Sequence, residues 1–184
     1  MTEESVDLYI EISEGIDGKG IITELQKWLP EGSAVLELGM GEGKDLVILS
    51  KHFKVTGSDF SPIFLDRFKK DHPDFSLENI DARAIRSSVR FDCIYSNKVL
   101  HHLSLDELKT SLNSQAENLN SKGIICHSFW AGEGQTEEKG LIFSHYLKQD
   151  LESIVREHFH VLHCESYMEF GKDDSVLLIA KKLD

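Results

Sequence analysis

Three glycines at alternate positions, Gly39, Gly41 and Gly43, stand in the string VLELGMGEGKDL, between an apolar run and the start of an amphipathic stretch. Glycine lets the backbone turn tightly and lets a ligand approach, because no Cβ stands in the way. The run AVLEL reads as a buried strand, interrupted only by Glu37 near its end. DLVILSKHF then reads as a helix, whose first N–H groups are unpaired by helix geometry. Sixteen residues beyond Gly43 the next strand, KVTGSD, ends in Asp59. A carboxylate there can accept hydrogen bonds from both hydroxyls of a ribose. A dinucleotide fingerprint would want glycine where Lys44 stands, and an acid such as Glu37 beside the turn would repel a pyrophosphate. The same acid suits a ligand carrying an ammonium and a sulfonium.

The elements that must hold these residues alternate short apolar runs with amphipathic stretches, which predicts a mainly parallel sheet wrapped by helices. Ile21, Ile22, Leu25, Trp28 and Leu29 fall on one helical face ahead of Pro30. Ser61 and Pro62 mark a helix start, and Ser104 with Glu107 forms a capping box that opens a helix running through Leu119. FSLENID, FDCIYSN and GIICHSFW read as further strands, and LKQDLESIVREHF as a helix. HVLHCESYMEF and SVLLIAKKL flank the turn Gly171 to Asp174, which predicts a closing antiparallel hairpin. The expected fold is a Rossmann-like α/β domain with a seven-stranded, mainly parallel sheet, helices on both faces and a C-terminal antiparallel hairpin. We read residues 1–184 as one domain: an N-terminal arm and helix (1–30), a donor-binding core (33–130), and a loop, helix and hairpin (131–184).

These segments carry a resemblance. VLELGMGEG, VTGSDFSP and FDCIYSNKVLHHLS resemble the class I S-adenosylmethionine-dependent methyltransferases, in the small group whose core reads VLELGxGxG, GxDxS and FDxVxSxxxLHHL; the likeness runs from about Ser33 through Trp130. It implies S-adenosyl-L-methionine as the cofactor and methyl transfer as the activity. It further implies that Glu37, Gly39, Met40, Gly41 and Gly43 hold the methionine end, and that Asp59 takes the ribose hydroxyls with Phe60 beside the adenine. Asp81 and the backbone of Ala82 would meet the adenine amino group, and Ser96 and Asn97 would border the donor methyl. The other readings of this pattern are a non-catalytic binding subunit or sensor for the same ligand and, more remotely, a nicotinamide oxidoreductase.

Toward the acceptor, His101, His102 and His145 are the candidate bases, and Trp130 and Tyr146 the candidate pocket residues. His101 and His102 belong to the stretch Asn97 to His102; Trp130, His145 and Tyr146 belong to a long segment, Trp130 to Tyr146, which reads either as a surface connection or as a lid over the carboxyl ends of the strands. Adjacent histidines on a helix point ~100° apart, so no metal site is expected at His101 and His102. His127, inside a strand, reads as a hydrogen-bonded core residue. Cys93, Cys126 and Cys164 read as buried free thiols. The NPPY-like string of base aminomethylases is replaced by SNKV, and no Pro-Cys pair exists. The net charge of −12 lacks the cationic surface a polynucleotide needs. A small-molecule acceptor is expected, with no nucleic-acid and no membrane partner. The acidic start MTEESVDLYIEIS has no apolar core of a signal peptide, so a cytoplasmic protein is expected. The sequence leaves the oligomeric state open.

Overall fold

The computed structural model describes residues 2–12, 15, 17–138 and 140–184. Helix α1 (Glu3–Ile12) and helix α2 (Lys19–Leu25) lead into strand β1 (Ala34–Leu38). Then come α3 (Lys44–Leu49), β2 (Lys54–Asp59), α4 (Pro62–Asp71), β3 (Ser76–Asn79) and β4 (Phe91–Asn97). A single 3₁₀ turn (Leu100–His102) precedes α5 (Leu105–Asn118), followed by β5 (Leu119–Ala131), β6 (Gln135–Glu138), β7 (Leu141–Tyr146), α6 (Lys148–Val155), β8 (Phe159–Tyr167) and β9 (Ser175–Lys182).

The sheet runs β3-β2-β1-β4-β5, all parallel, and is closed by β9 and β8, both antiparallel to their neighbours. This is the expected seven-stranded Rossmann-like order. The segment after Trp130 is not a plain loop: β6 and β7 pair as a hairpin. β5 is long enough to use its edge twice. It pairs β4 up to Ser128, then passes the same edge to β7 at Trp130 and Ala131. The sheet therefore holds nine strands.

Each face of the sheet buries its own cluster. Leu36, Leu38, Ile94, Ile125 and Phe129 pack with Leu108, Leu112, Leu151 and Val155 of α5 and α6. Val35, Cys93, Tyr95, Cys126 and Ile179 pack with Ile21, Ile22, Leu25 and Leu49 on the other side. Each such large side chain contributes on the order of 1.5–3 kcal/mol by leaving water. The one departure on α2's face is Trp28, which lies past the helix end and is 38% exposed. Its indole N–H donates to Glu24 instead of reaching the core. All three cysteines are buried and free. The Ser104–Glu107 capping box forms as expected, whereas Ser61 occupies its N-cap position without a side-chain cap. Among the described residues, no helix is long and apolar enough to cross a membrane.

Candidate active site

The carboxyl end of β1 runs into the glycine turn. Gly39 has φ +66° and Gly43 φ +83°, backbone that L side chains rarely adopt. A Cβ on Gly39 would stand 2.6 Å from Val99 Cγ2, and one on Gly43 would collide with the Phe68 ring. The turn is tied to β2 by Met40 N–H donating to Ser58 O (2.8 Å) and Gly41 N–H donating to Asp59 Oδ2 (3.0 Å). Asp59 Oδ1 accepts from Ser61 N–H at 2.8 Å. Burial pushes the Asp59 carboxyl up from its ordinary range, and the backbone N–H groups of Ser61, Gly41 and Phe60 work against that push.

Glu37 is 3% exposed, and its Oε2 is shielded from solvent without a hydrogen-bond partner. Burial first, then the charges of Asp45 and Asp59, raise its carboxyl well above the usual carboxylate range. A solitary buried carboxylate oxygen is costly unless a cation or donor completes it.

Asp45, on the first turn of α3, is a site residue that sequence reasoning missed. Its Oδ1 accepts from Gly18 N–H (2.6 Å), and its Oδ2 accepts from Tyr95 Oη–H (2.7 Å) and Asn97 Nδ2–H (3.1 Å). Asn97 Oδ1 in turn accepts from Ser128 Oγ–H at 2.5 Å. Asn97 is thereby held at both ends of its amide. α1 lies over the turn. Tyr9 packs edge-on against Phe64 (5.6 Å), and its ring edge would be 3.3 Å from a Cβ on Gly41. Arg67 of α4 pairs with Asp7 (2.6 Å) and Glu3 of α1. Burial and four nearby carboxylates, Asp59, Asp45, Glu42 and Glu37, raise the Tyr9 hydroxyl.

Several expected site residues stand differently. Met40 buries its side chain with Leu46, Leu65 and Phe68, so only its backbone faces the turn. Ser96 is fully buried and turned to the opposite face from Asn97, where its Oγ meets His127 Nδ1 at 2.8 Å. Its side chain therefore does not border the cleft. His127 Nε2 lies 2.7 Å from Gln115 Oε1, and burial lowers the imidazole to about 3, the hydrogen-bonded core histidine expected. Asp81 is engaged by the Arg83 guanidinium, which holds its carboxyl below the usual range. The carbonyl of Ala82 accepts from Ser111 Oγ–H. Phe60 is exposed beside Asp59, its carbonyl accepting from Asn79 Nδ2–H (3.1 Å).

On the acceptor side, His101 is buried with both ring nitrogens unpartnered, stacked on Phe143 at 5.4 Å. Burial, then His102, Lys98 and His145, lower it to about 2, so it stays a neutral imidazole and a feeble base at neutral pH. His102 Nδ1 is 3.0 Å from Ile142 O, and His145 Nε2 is 3.0 Å from Thr136 Oγ1. Tyr146 sits in the core against Phe129 (5.4 Å) and does not line a cleft. Trp130 is half-buried under Lys98, whose Nζ is 3.6 Å from the ring centroid. Among the described residues, no group of three His, Cys, Asp or Glu side chains could hold a metal ion.

A parallel sheet ordered 3-2-1-4-5 with an antiparallel closing pair, and a left-handed glycine turn between two strand-end acids, give the chain a fold shared with S-adenosylmethionine-dependent methyltransferases of known structure. Residues 35–123 match the family described as "Methyltransferase domain". Solved structures share the fold. A 1,6-didemethyltoxoflavin-N1-methyltransferase from Burkholderia thailandensis, solved with bound 1,6-didemethyltoxoflavin and S-adenosylhomocysteine, superposes with a TM-score of 0.84 at 18% identity, over 97% of this chain and 83% of that one. A TehB-like S-adenosylmethionine-dependent methyltransferase from Corynebacterium glutamicum gives 0.78 at 20% identity, over 99% and 100%. The N-methyltransferase NodS from Bradyrhizobium japonicum gives 0.71 at 15% identity, over 90% and 85%. No curated protein matches the chain significantly.

Proposed function

We propose that the chain, acting as one domain in the cytoplasm, transfers the methyl group of S-adenosylmethionine to a small-molecule acceptor. The observation that carries this reading is Glu37: a buried, unpartnered carboxylate oxygen beside a turn that only glycine can make. An ammonium group supplies what that oxygen lacks. Asp59 keeps lone pairs for the ribose hydroxyls while holding the turn by Gly41. Phe60 would flank the adenine, with Asp81 and the Ala82 N–H at its edge. Asn97, fixed by Asp45 and Ser128, would border the reacting methyl, Ser96 contributing backbone only.

The bound donor supplies a methyl on a good leaving group, so the protein's share is alignment and exclusion of water, worth up to about 7–11 kcal/mol in favourable cases. α1 with Tyr9 covers the glycine turn; the Asp45 network sets Asn97. A neutral His101 can donate or accept a hydrogen bond but does not take up a proton near neutrality. Deprotonation of an acidic acceptor would fall to His102, His145 or solvent. The Burkholderia enzyme holds 1,6-didemethyltoxoflavin, a small molecule, together with S-adenosylhomocysteine, which supports the small-molecule reading. The net charge of −12 argues against a polynucleotide.

Calorimetry tests the proposal. S-adenosylhomocysteine should bind and NAD should not; tighter binding of NAD would overturn it. Asp59→Ala should weaken S-adenosylhomocysteine by roughly 1.5–3 kcal/mol, about one to two decades in Kd, through lost hydrogen bonds to a charged group. An unchanged Kd in the folded variant would remove Asp59 from the site.

A further inference from the structure

Register carries the sheet's cleft face beyond Asn97. Glu37 pairs with Tyr95 and Asn97 with Ser128. Two residues further along β5, and so on the same face, Trp130 pairs with Ser175 of β9, which pairs with Tyr167 of β8. Because β9 is antiparallel, the β8–β9 turn lies at the same end of the sheet as the glycine turn. That turn presents Met168 at 71% and Phe170 at 68% exposure, with Phe170 stacked on Trp130 at 5.9 Å.

This turn is rigid by construction. The Asp174 carboxylate accepts from the N–H groups of Glu169 (2.8 Å), Phe170 (2.9 Å) and Gly171 (2.7 Å), and from Ser175 Oγ–H (3.1 Å). These bonds hold its pKa down to about 2. Lys98 braces the wall from below. Its Nζ donates to Phe129 O (2.8 Å) and Ser175 Oγ (2.7 Å) while lying over the Trp130 ring. The residue adopts φ +54° to do so, a strained backbone for a side chain. Burial lowers the ammonium to about 8, against the pull of Glu169 and Asp174. Two polar atoms in this cluster are shielded from solvent without a well-formed hydrogen bond, Tyr167 Oη, a donor, and Glu169 Oε2, an acceptor, and after burial the nearby Glu169 carboxylate helps to push the Tyr167 hydroxyl up. Apolar side chains held out on a rigid turn lose little entropy on binding.

We infer that Phe170, Met168, Tyr167 and Glu169, braced by Lys98 and Trp130, form the acceptor seat, and that the acceptor is a planar heteroaromatic molecule with an N–H on its edge. The aromatic face meets Phe170, and the edge N–H reaches Glu169. The seat rests on the methyltransferase reading, since it lies on the Glu37–Asn97 face one register step past the donor methyl.

The test uses the two tryptophans. Trp28→Phe protein labelled with fluorotryptophan has one fluorine resonance, from Trp130. The protein is saturated with S-adenosylhomocysteine and titrated with lumazine and hypoxanthine, which are planar and bear N–H edges. Dihydrouracil, with a similar edge and no aromatic ring, is the control. Both planar probes should shift the resonance and dihydrouracil should not. Phe170→Ala should weaken the probes about tenfold, and Glu169→Gln should weaken them by a similar factor, with S-adenosylhomocysteine affinity and Tm unchanged. No shift from either planar probe overturns the seat, as does an equal shift from dihydrouracil. A resonance that moves with protein concentration and ignores the probes overturns it too, and makes the turn a self-association surface. Failure of S-adenosylhomocysteine itself to bind would instead strike the methyltransferase reading.

Discussion

Glu37→Gln is expected to make the free protein more stable and the donor complex weaker. The buried carboxyl has a folded pKa raised above its ordinary value. A raised carboxyl contributes stability that is complete below its unfolded pKa, about 4.3, and is lost as pH rises through the folded pKa. As pH rises through the folded pKa the wild type therefore loses this stability, and the neutral amide does not. Thermal melts without ligand should favour the variant, increasingly so toward alkaline pH, with the difference closing in acid. Donor affinity should move the other way. Loss of an ammonium–carboxylate bond costs about 1.5–3 kcal/mol, or roughly 10- to 150-fold in Kd for S-adenosylhomocysteine. In the wild type that affinity should rise with pH as Glu37 ionises. A variant that binds as tightly as the wild type would place Glu37 outside the donor site.

Asp45→Asn should be among the most damaging conservative changes in the chain. Asp45 accepts three hydrogen bonds, from Gly18 N–H, Tyr95 Oη–H and Asn97 Nδ2–H, on its two oxygens. An amide turns one of those oxygens into a donor facing donors. Each buried group left unpaired costs about 1–3 kcal/mol, so a loss of about 2–4 kcal/mol is expected. For a chain of this size that is a fall in Tm of roughly 5–15 °C. Tyr95→Phe removes one of the opposed donors and should recover part of the loss, which a double-mutant cycle measures. Turnover should fall further than stability alone explains, because Asn97 loses one of its two anchors. A Tm within about 2 °C of the wild type would show that the network rearranges freely.

The parallel core was legible because its signals are local. Apolar runs five to seven residues long bounded by turn residues form β1 and β4; the capping box marks the α5 start; the glycine turn follows β1 as its spacing requires. The hairpin of β6 and β7 was not legible, because its pairing partner is the far tip of β5, and Gln135–Glu138 carries no strand-like alternation of its own. Asp45 looked like an ordinary acid on a first helical turn; its three donors come from positions 27, 50 and 52 residues away. The direction of Ser96 follows from simple alternation with Asn97, since neighbours in a strand face opposite ways. The dryness of His101 depends on Phe143, which lies on that same unforeseen hairpin.

The way β5 passes its edge from β4 to β7 bears on how such a protein can change over evolutionary time. Among the described residues the hairpin pairs with the rest of the sheet only at Trp130 and Ala131, and it rests on the 3₁₀ turn through His101–Phe143 stacking and the His102–Ile142 contact. Among the described residues, none of β1 to β4 pairs with it. Its β6 strand and the exposed start of β7, Leu141 and Ile142, can be reworked by exchange while Tyr146 at the far end of β7 stays anchored in the core and the glycine turn, Glu37 and Asp59 keep their places. A scaffold divided in this way can vary one corner of its surface without disturbing the turn at the end of β1.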